Sequence, residues 1–476
     1  MPSFRRELDV DVSLDELFGW HARPGAFERL VPPFERIRLL EHTPAPDGSM
    51  LGVGARASLA VGRAPFALRW DALHTVCEPP HLFVDEQQRG PFARWRHEHR
   101  FEARGPQRSK LVDAIEFELP LGAGRLPFTE DFVRRKLVRS FRARHTTTAG
   151  DVLDHAAAQR RLGTARSLRI LVAGASGLVG SQLVPYLTTG GHRVVRLVRR
   201  AARGAEEIAW DPARGELAAS AVRDFDAVIN LSGAGIADRR WSAERKAELA
   251  DSRIATTQVL VRALLACGSL PPVFVQASAV GAYDDRAFER DDAAVFDEQS
   301  PSAAGFLGDL CRAWEGAASP LAAAGVRCVF TRFGVVLDPR GGALAKMLPP
   351  FLVGAGGPVG SGRQPLPWIA LDDVLAALLL ALTDERVRGP VNFVAPHTPT
   401  QHEFAKVLGR VLGRPAFAPL PAPAVRLLFG EMGETLLLRG ARVAPAVLTA
   451  HGFRHRFAGL EAALRHLLGR PAREEN

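Results

Sequence analysis

The stretch "RILVAGASGLVGSQLVPYL", Arg169 to Leu187, decides the fold of most of this 476-residue chain. An apolar run is followed by Gly174, Gly177 and Gly180, three glycines at three-residue intervals. In a strand–turn–helix context this spacing predicts a dinucleotide-binding loop, because glycines let the backbone turn tightly and approach a diphosphate at the helix N-terminus. Because the chain has 44 glycines, such a spacing also arises by chance, and the prediction depends on the strand–turn–helix context. The alternative is a tight strand-to-helix turn without a ligand.

Short apolar runs alternate with helical stretches from Leu168 onward. The runs are "LRILVAG", "HRVVRLV", "DAVINLSG", "PVFVQAS" and "RCVFTRFG". Strands that are apolar along their whole length are typical of a parallel sheet covered on both faces. We therefore predict a doubly wound α/β domain around the glycine loop.

The first 148 residues have a different period. Apolar and polar residues alternate in "APFALRWDALHTV", "ARWRHEHRFEA" and "KLVDAIEFELPL", the pattern of half-buried antiparallel strands. This alternation places His97 and His99 on the interior side. Residues 129–145 then show the four-residue spacing of an amphipathic helix with an Arg-rich outer face. We expect a curved antiparallel sheet that grips one long helix and encloses an apolar cavity.

Composition limits the classes of partner. The chain is 47% hydrophobic and 24% charged, as in globular proteins, and its net charge of +9 comes from scattered arginines, so no nucleic-acid partner is expected. Four cysteines without a CxxC pair indicate neither a zinc site nor a disulfide framework, and a cytoplasmic location fits. The longest apolar run, residues 374–382, is too short for an integral membrane segment. Two histidines without a third ligand do not make a metal site, so no metal is expected.

The second strand of the α/β region ends in "VVRLVRR". An acidic residue here would hold the ribose hydroxyl of NAD, but the chain has Arg199 and Arg200. Since arginine pairs with phosphate through a planar fork, the sequence favours NADP(H), with NAD as the alternative cofactor. Two solvated surface arginines are the structural alternative.

Several long motifs in order identify a resemblance. "DAVINLSGAGIADRRWSAERKAELADSRI", "QASAVGAY", "GGALAKMLPPFLVGAGGPVGSGRQPLPWIALDDV" and "GPVNFVAP" resemble the atypical extended short-chain dehydrogenase/reductases. Within these, the chain is most similar to the bacterial epimerase-family group, related to NAD-dependent epimerase/dehydratases, which ends in a conserved segment of unknown function. "FGWHARPGAFERLVPPFE" and "RGPFARWRHEHRF" resemble the START-like polyketide cyclase/dehydrase superfamily, which has the helix-grip fold.

The resemblance implies a domain order and a set of site residues. The expected order is a START-like helix-grip ligand-binding domain (1–150), a linker (151–167), an NAD(P)-binding Rossmann domain (168–385) and a C-terminal substrate lobe (386–470). Around the pyrophosphate it places Gly174, Ala175, Ser176, Gly177, Leu178, Val179 and Gly180. Arg199 would lie near the adenosine phosphate. Beside the adenine ribose and the nicotinamide it places Asn230, Leu231, Ser232, Gly233 and Ala234. Ser278 would hydrogen-bond the substrate carbonyl.

The acid/base dyad of active relatives is missing from the sequence. Active members pair a tyrosine with a lysine four residues on, but Tyr186 and Tyr283, the two tyrosines here, are followed at that distance by Gly190 and Ala287. In the corresponding helix, "GFLGDLCRAWEGAA", the matching positions hold Phe306 and Leu310.

Three interpretations of function stay open. Tyr283 or another group replaces the missing tyrosine, and the chain is an NADP(H)-dependent oxidoreductase or epimerase that acts on a small carbonyl or sugar-like substrate. Alternatively, it binds the nucleotide without reaction, as a sensor or carrier module. The third interpretation concerns the N-terminal domain, which would bind an apolar ligand and deliver it to the nucleotide site, or act by itself as a cyclase-like pocket.

Overall fold

The computed structural model describes residues 2–63, 65–120, 129–163 and 166–471. These divide into two compact units. Unit 1 comprises the described residues of Met1–Ala165, Pro185–Gly191 and His466–Asn476. Unit 2 comprises Arg166–Val184 and His192–Arg465.

Unit 1 is built on a seven-stranded antiparallel sheet in the order β1-β7-β6-β5-β4-β3-β2. Its strands are β1 (Ser3–Val10), β2 (Ile37–Thr43), β3 (Arg56–Val61), β4 (Leu68–Glu78), β5 (Leu82–Arg89), β6 (Arg94–Gly105) and β7 (Arg108–Glu118). Its helices are α1 (Leu14–Ala22), α2 (Ala26–Leu30) and the long α3 (Thr129–Leu162). A sheet with one long helix confirms the predicted helix-grip architecture.

The inner face of this sheet carries polar groups as well as aromatic rings. His97 and His99 on β6 are buried, which confirms their predicted orientation. They lie against Asp85 on β5 and Asp113 on β7. Burial alone would raise the pKa of both carboxyls, but their contacts with histidines hold each pKa below its usual range. Burial would lower the pKa of His97, yet the contacts with Asp113 and Asp85 raise it.

One cavity of unit 1 lies at an edge of the sheet and has both apolar and basic walls. A cavity of about 440 Å³ lies at the β2–β3 edge of the sheet, beside the N-terminal part of α3. Phe34, Ile37, Val61 and Phe132 give it apolar walls. The remaining lining includes four basic side chains: Arg36, Arg135, Lys136 and Arg139. It is therefore amphipathic, because basic residues of the helix's Arg-rich face lie along it.

The structure corrects the predicted linker, 151–167. Its residues as far as Leu162 form the C-terminal part of α3, and Asp151, Val152 and Ala156 are buried. Asp151 accepts two hydrogen bonds from Arg29 of α2, at 2.7 and 2.9 Å, with both side chains almost fully buried. The Ala-rich segment thus continues the long helix, as the high helix propensity of alanine allows, and the buried charge of Asp151 has its partner 122 residues away in the sequence.

Unit 2 contains a seven-stranded parallel sheet in the order β10-β9-β8-β11-β12-β14-β17. The strands of unit 2 are β8 (Arg169–Ala173), β9 (Arg193–Val198), β10 (Glu207–Ala209), β11 (Ala227–Asn230), β12 (Val273–Ala279), β13 (Val295–Phe296), β14 (Arg327–Phe333), β15 (Val335–Leu337), β16 (Trp368–Ala370), β17 (Gly389–Phe393) and β18 (Arg442–Val443). This strand order is that of a Rossmann sheet, which confirms the predicted fold class. β17 falls within the predicted C-terminal lobe, yet it pairs with β14 in the main sheet.

Helices cover the sheet and complete the C-terminal region. They are α4 (Gly180–Thr189), α5 (Ala243–Asp251), α6 (Ile254–Ala266), α7 (Ala287–Arg290), α8 (Phe306–Gly316), α9 (Ser319–Ala323), α10 (Gly342–Leu352), α11 (Leu371–Thr383), α12 (Gln401–Leu412), α13 (Ala422–Leu437), α14 (Ala446–Ala450) and α15 (Leu460–Leu467). Leu171, Val228 and Phe274 of adjacent strands are fully buried, as expected for strands covered on both faces. Among the described residues, no helix combines the length and hydropathy needed to cross a membrane.

Loss of the Arg29–Asp151 pair is expected to destabilise unit 1. Asp151→Ala removes both hydrogen bonds that the buried Arg29 guanidinium makes to this carboxylate and should lower the free energy of unfolding by about 3–5 kcal/mol. Glu130→Ala removes an exposed partner of Arg134 on the same helix and should cost under about 1 kcal/mol. Urea unfolding followed by circular dichroism measures both. Equal, small losses would contradict the structural role assigned to Asp151.

Candidate functional site at the carboxyl ends of the parallel strands

The glycine loop lies where the strand order of unit 2 reverses direction. β8 has β9 on one side and β11 on the other, and the crevice at such a switch point is the usual ligand site of open α/β sheets. Gly174 follows β8, and Asn230 ends β11. The amide of Leu231 donates to the carbonyl of Ala173 at 3.0 Å, which ties the two loops together.

Two of the three glycines are required by the packing of the protein itself. Gly174 has φ of +79°, and a Cβ there would lie 2.6 Å from the carbonyl carbon of Leu231. A Cβ at Gly180 would lie 2.3 Å from the oxygen of Gly174. Both positions therefore exclude any side chain, since backbone atoms cannot move aside cheaply.

Gly177 differs from the other two glycines. A Cβ there would meet only the oxygen of Gly174, at 3.4 Å, which is ordinary contact, and the residue is exposed. The protein's own packing thus leaves the position free for a side chain, next to the N-terminus of α4 at Gly180. A glycine that packing does not require fits a surface against which an external diphosphate rests.

Side-chain hydrogen bonds hold the loop from Asn230 to Ala234 in place. The buried Asn230 side chain donates to Thr257 Oγ1 at 2.9 Å and accepts from the amide of Ser232 at 3.1 Å. Arg253 Nη2 donates to the oxygen of Ala234 at 3.0 Å. Asn230 therefore positions this loop, and the exposed Gly233 is the part that a bound molecule could meet.

The two predicted phosphate-binding arginines have different surroundings. Arg200 donates to both carboxylate oxygens of Glu207 at 2.7 Å, and Arg196 lies 2.9 Å from the same carboxylate. The hydrogen bond from Arg200 lowers the pKa of Glu207 to about 2. Arg199 is exposed, and within the described part of the chain no hydrogen bond or ion pair of its side chain is present. Arg199 is thus the one of the two that can meet a phosphate.

Ser278 and Tyr283, the two predicted catalytic residues, belong to one buried network. Ser278 Oγ donates to Glu315 Oε1 at 2.6 Å, and Arg332 binds both oxygens of Glu315 at 2.9 Å. Arg332 Nη1 also donates to the Tyr283 hydroxyl at 3.0 Å, and that hydroxyl donates to Asn392 Oδ1 at 2.7 Å. Ser278, Arg332 and Asn392 are register partners on β12, β14 and β17, so the parallel sheet itself aligns the network.

This network does not activate the tyrosine. Burial raises the pKa of Tyr283, and the contact with Arg332 only partly opposes that effect. The phenol therefore stays protonated at neutral pH, with its proton directed at Asn392. Ser278 and Tyr283 are both at most 2% exposed. Sequence reasoning did not find Glu315, which links them and lies on α8, 37 residues after Ser278.

Apolar side chains occupy the positions matched to the missing dyad. Phe306 lies at the start of α8 and packs against Trp241, with ring centroids 5.1 Å apart. Leu310, one turn later, is buried. Lys246 Nζ lies 5.3 Å from the centroid of the Phe306 ring and pairs with Glu431. A phenyl ring has no proton to transfer, so any proton donor in this site must be a different group.

Comparison with known proteins agrees with this geometry. The model of the NAD dependent epimerase/dehydratase family matches residues 170–394, a domain of unknown function matches 420–467, and the polyketide cyclase/dehydrase and lipid transport family matches 10–145. An epimerase family protein of Mycobacterium bovis is 42% identical over 302 residues, which are 63% of this chain and 98% of that protein. A human epimerase family protein is 39% identical over 304 residues, 63% of this chain and all of that protein.

Two solved structures are similar. A nucleoside-diphosphate sugar epimerase from Corynebacterium glutamicum aligns with a TM-score of 0.78 and 27% identity, over 98% of this chain and 90% of that chain. A human epimerase family protein determined with NADPH aligns with a TM-score of 0.58 and 36% identity, over 63% of this chain and 99% of that chain.

Stability measurements can test whether packing requires glycine at Gly180 and not at Gly177. Gly180→Ala forces a methyl group against backbone atoms and should lower the free energy of unfolding by about 1–3 kcal/mol. Gly177→Ala should change it by no more than about 0.5 kcal/mol, because the added methyl group has room. Thermal and urea unfolding of both variants provide the measurement. A Gly177→Ala variant as unstable as Gly180→Ala would show that Gly177 serves packing.

Proposed function

The chain belongs to the NAD dependent epimerase/dehydratase family, and we propose that it is an NADP(H)-dependent oxidoreductase that acts on a small carbonyl or sugar-like substrate. The observation that carries the proposal is the exposed Gly177, whose missing side chain the protein's packing does not explain. A diphosphate lying there would meet the residues from Gly174 to Gly180 and the N-terminus of α4.

Preference for NADP(H) rests on Arg199. It follows β9 at the place where NAD-binding sheets carry an acidic residue, and its guanidinium is exposed. Arg200 contributes less, because Glu207 already accepts from both its terminal nitrogens. The human relative determined with NADPH supports the same preference.

The nucleotide would supply a hydride at its nicotinamide ring, and the carbonyl oxygen of the substrate would then need a proton. Ser278 is the last residue but one of β12, on the side of the sheet where the nucleotide would lie. Its hydroxyl would turn from Glu315 to a substrate oxygen, while Arg332 keeps both oxygens of Glu315 hydrogen-bonded. Ser278 would thus polarise the carbonyl, with the proton replaced from solvent, and Tyr283 would position Arg332 from behind.

A nucleotide-binding module without turnover is the second candidate. It is favoured by the lack of any Tyr-x-x-x-Lys pair in the sequence and by the apolar Phe306 and Leu310 at the matching positions. The N-terminal domain would serve either function by holding an apolar ligand, for which the amphipathic cavity of about 440 Å³ provides room.

Charge reversal at Arg199 should abolish the preference for NADPH. Arg199→Asp is expected to weaken NADPH binding by about tenfold to a hundredfold, because one charge-assisted contact with the 2′-phosphate is lost, and to leave NADH binding within about threefold. Titration of intrinsic fluorescence with each nucleotide measures this. Arg193→Asp, an exposed arginine at the other end of β9, is the matched control. Equal loss of NADPH affinity in both variants would overturn the role of Arg199.

Turnover separates the two candidates. Oxidation of NADPH against a panel of aldehydes, ketones and nucleotide sugars is expected for the unmodified chain, and Ser278→Ala should lower kcat by about a hundredfold, since one hydrogen-bond donor to the reacting oxygen is removed. Ser220→Ala, an exposed serine distant in sequence, is the control and should leave kcat unchanged. Tight NADPH binding without turnover on any substrate would favour the non-catalytic module.

A further inference from the structure

The interior of unit 1 contains a group of side chains that the proposed function does not use. We call Asp85, His97, His99, Asp113 and His145 the His–Asp cluster. They come from three adjacent strands, β5, β6 and β7, and from α3. His97, His99, Asp113 and His145 are at most 6% exposed in their side chains, whereas Asp85 is 19% exposed.

Asp113 lies on one side of both strand histidines. Its Oδ1 is 3.0 Å from His97 Nε2 and 2.8 Å from His99 Nδ1, and its Oδ2 is 2.6 Å from His145 Nε2. An ionised carboxylate only accepts hydrogen bonds. His97 Nε2 and His145 Nε2 therefore donate to Asp113, whereas His99 Nδ1 lies close to it without a hydrogen bond to any described residue.

The opposite nitrogens face Asp85. His97 Nδ1 is 3.2 Å and His99 Nε2 is 3.5 Å from Asp85 Oδ2. In the tautomer that ligates a metal, each of these nitrogens presents its lone pair towards the carboxylate oxygen. One ligand atom from each of Asp85, His97 and His99 lies within 4.8 Å of the other two, close enough for a single ion to contact all three.

We propose that Asp85, His97 and His99 form a binding site for one divalent transition-metal ion, with Asp113 holding the His97 imidazole in the ligating orientation. Zinc bonds to imidazole nitrogen and carboxylate oxygen are about 2.0–2.1 Å long, so adjacent ligand atoms of a tetrahedral site lie about 3.3 Å apart. The two N···O separations at Asp85 bracket this value. A carboxylate that accepts from the second nitrogen of a ligating histidine, as Asp113 does from His97, is the usual support of such a site.

The surroundings fix the rings and leave one side open. The Phe83 ring stacks on His99 at 4.0 Å between centroids, and Phe141 packs edge-on against His97 at 5.3 Å. The exposed fraction of Asp85 marks the side from which an ion and a further ligand can enter. Two nitrogens and one carboxylate with an open position are typical of catalytic zinc and non-haem iron sites, whereas structural zinc sites have four protein ligands.

The test is metal uptake by the full chain after treatment with a chelator. Titration with Co²⁺ is expected to produce visible d–d absorption that saturates at one equivalent and is removed by Zn²⁺. His99→Ala and Asp85→Asn should abolish that saturable uptake. Asp113→Asn should weaken it by about tenfold to a hundredfold, as the loss of supporting partners does in known sites.

Two matched substitutions control for unspecific effects. His81→Ala removes an exposed histidine just before β5, and Glu86→Gln removes the carboxylate beside Asp85 in sequence, which lies 3.8 Å from Arg96. Both should bind Co²⁺ as the unmodified chain does. Circular dichroism checks that each variant is folded. The proposal is overturned if the unmodified chain shows no one-equivalent Co²⁺ absorption, or if a folded His99→Ala variant retains it.

Discussion

The close approach of two backbones at Gly174 is the constraint on which unit 2 depends. The carbonyl carbon of Leu231 lies where a side chain of residue 174 would begin, so β8 and β11 can bring their loops together only with glycine there. Gly180 then lets α4 start directly against the same turn. Because this packing already fixes the loop, the open space at Gly177 is preformed. Binding of a diphosphate would therefore not have to order the loop.

Much of this arrangement follows from sequence patterns that act locally. Strand, glycine turn and helix are neighbours in the chain, so residues 169–187 predict the loop, and alternation on β6 predicts the inward direction of His97 and His99. A local sequence pattern does not show which distant residues form contacts. The buried contact of Asp151 with Arg29 packs the predicted linker against α2, and Glu207 binds Arg200 from the next strand of the sheet.

Contacts between distant residues also explain why some site residues of both units could not be predicted from the sequence. Two histidines at alternate positions lack a third ligand until the antiparallel register places Asp85 opposite His97. Ser278 and Tyr283 are predicted near the substrate, but Glu315, which binds Ser278 and Arg332, comes from α8. Asp85 and Glu315 are brought in by the tertiary fold, and no spacing in the chain indicates them.

The acid/base pair of active relatives is absent from this chain. The central functional claim is therefore that the glycine loop binds a nucleotide. The most direct measurement is a crystal structure of the chain grown with NADPH. We expect the diphosphate to lie against the backbone at Gly177, with the 2′-phosphate within hydrogen-bond distance of Arg199. A nucleotide bound elsewhere, or a neighbouring side chain filling the space at Gly177, would contradict it.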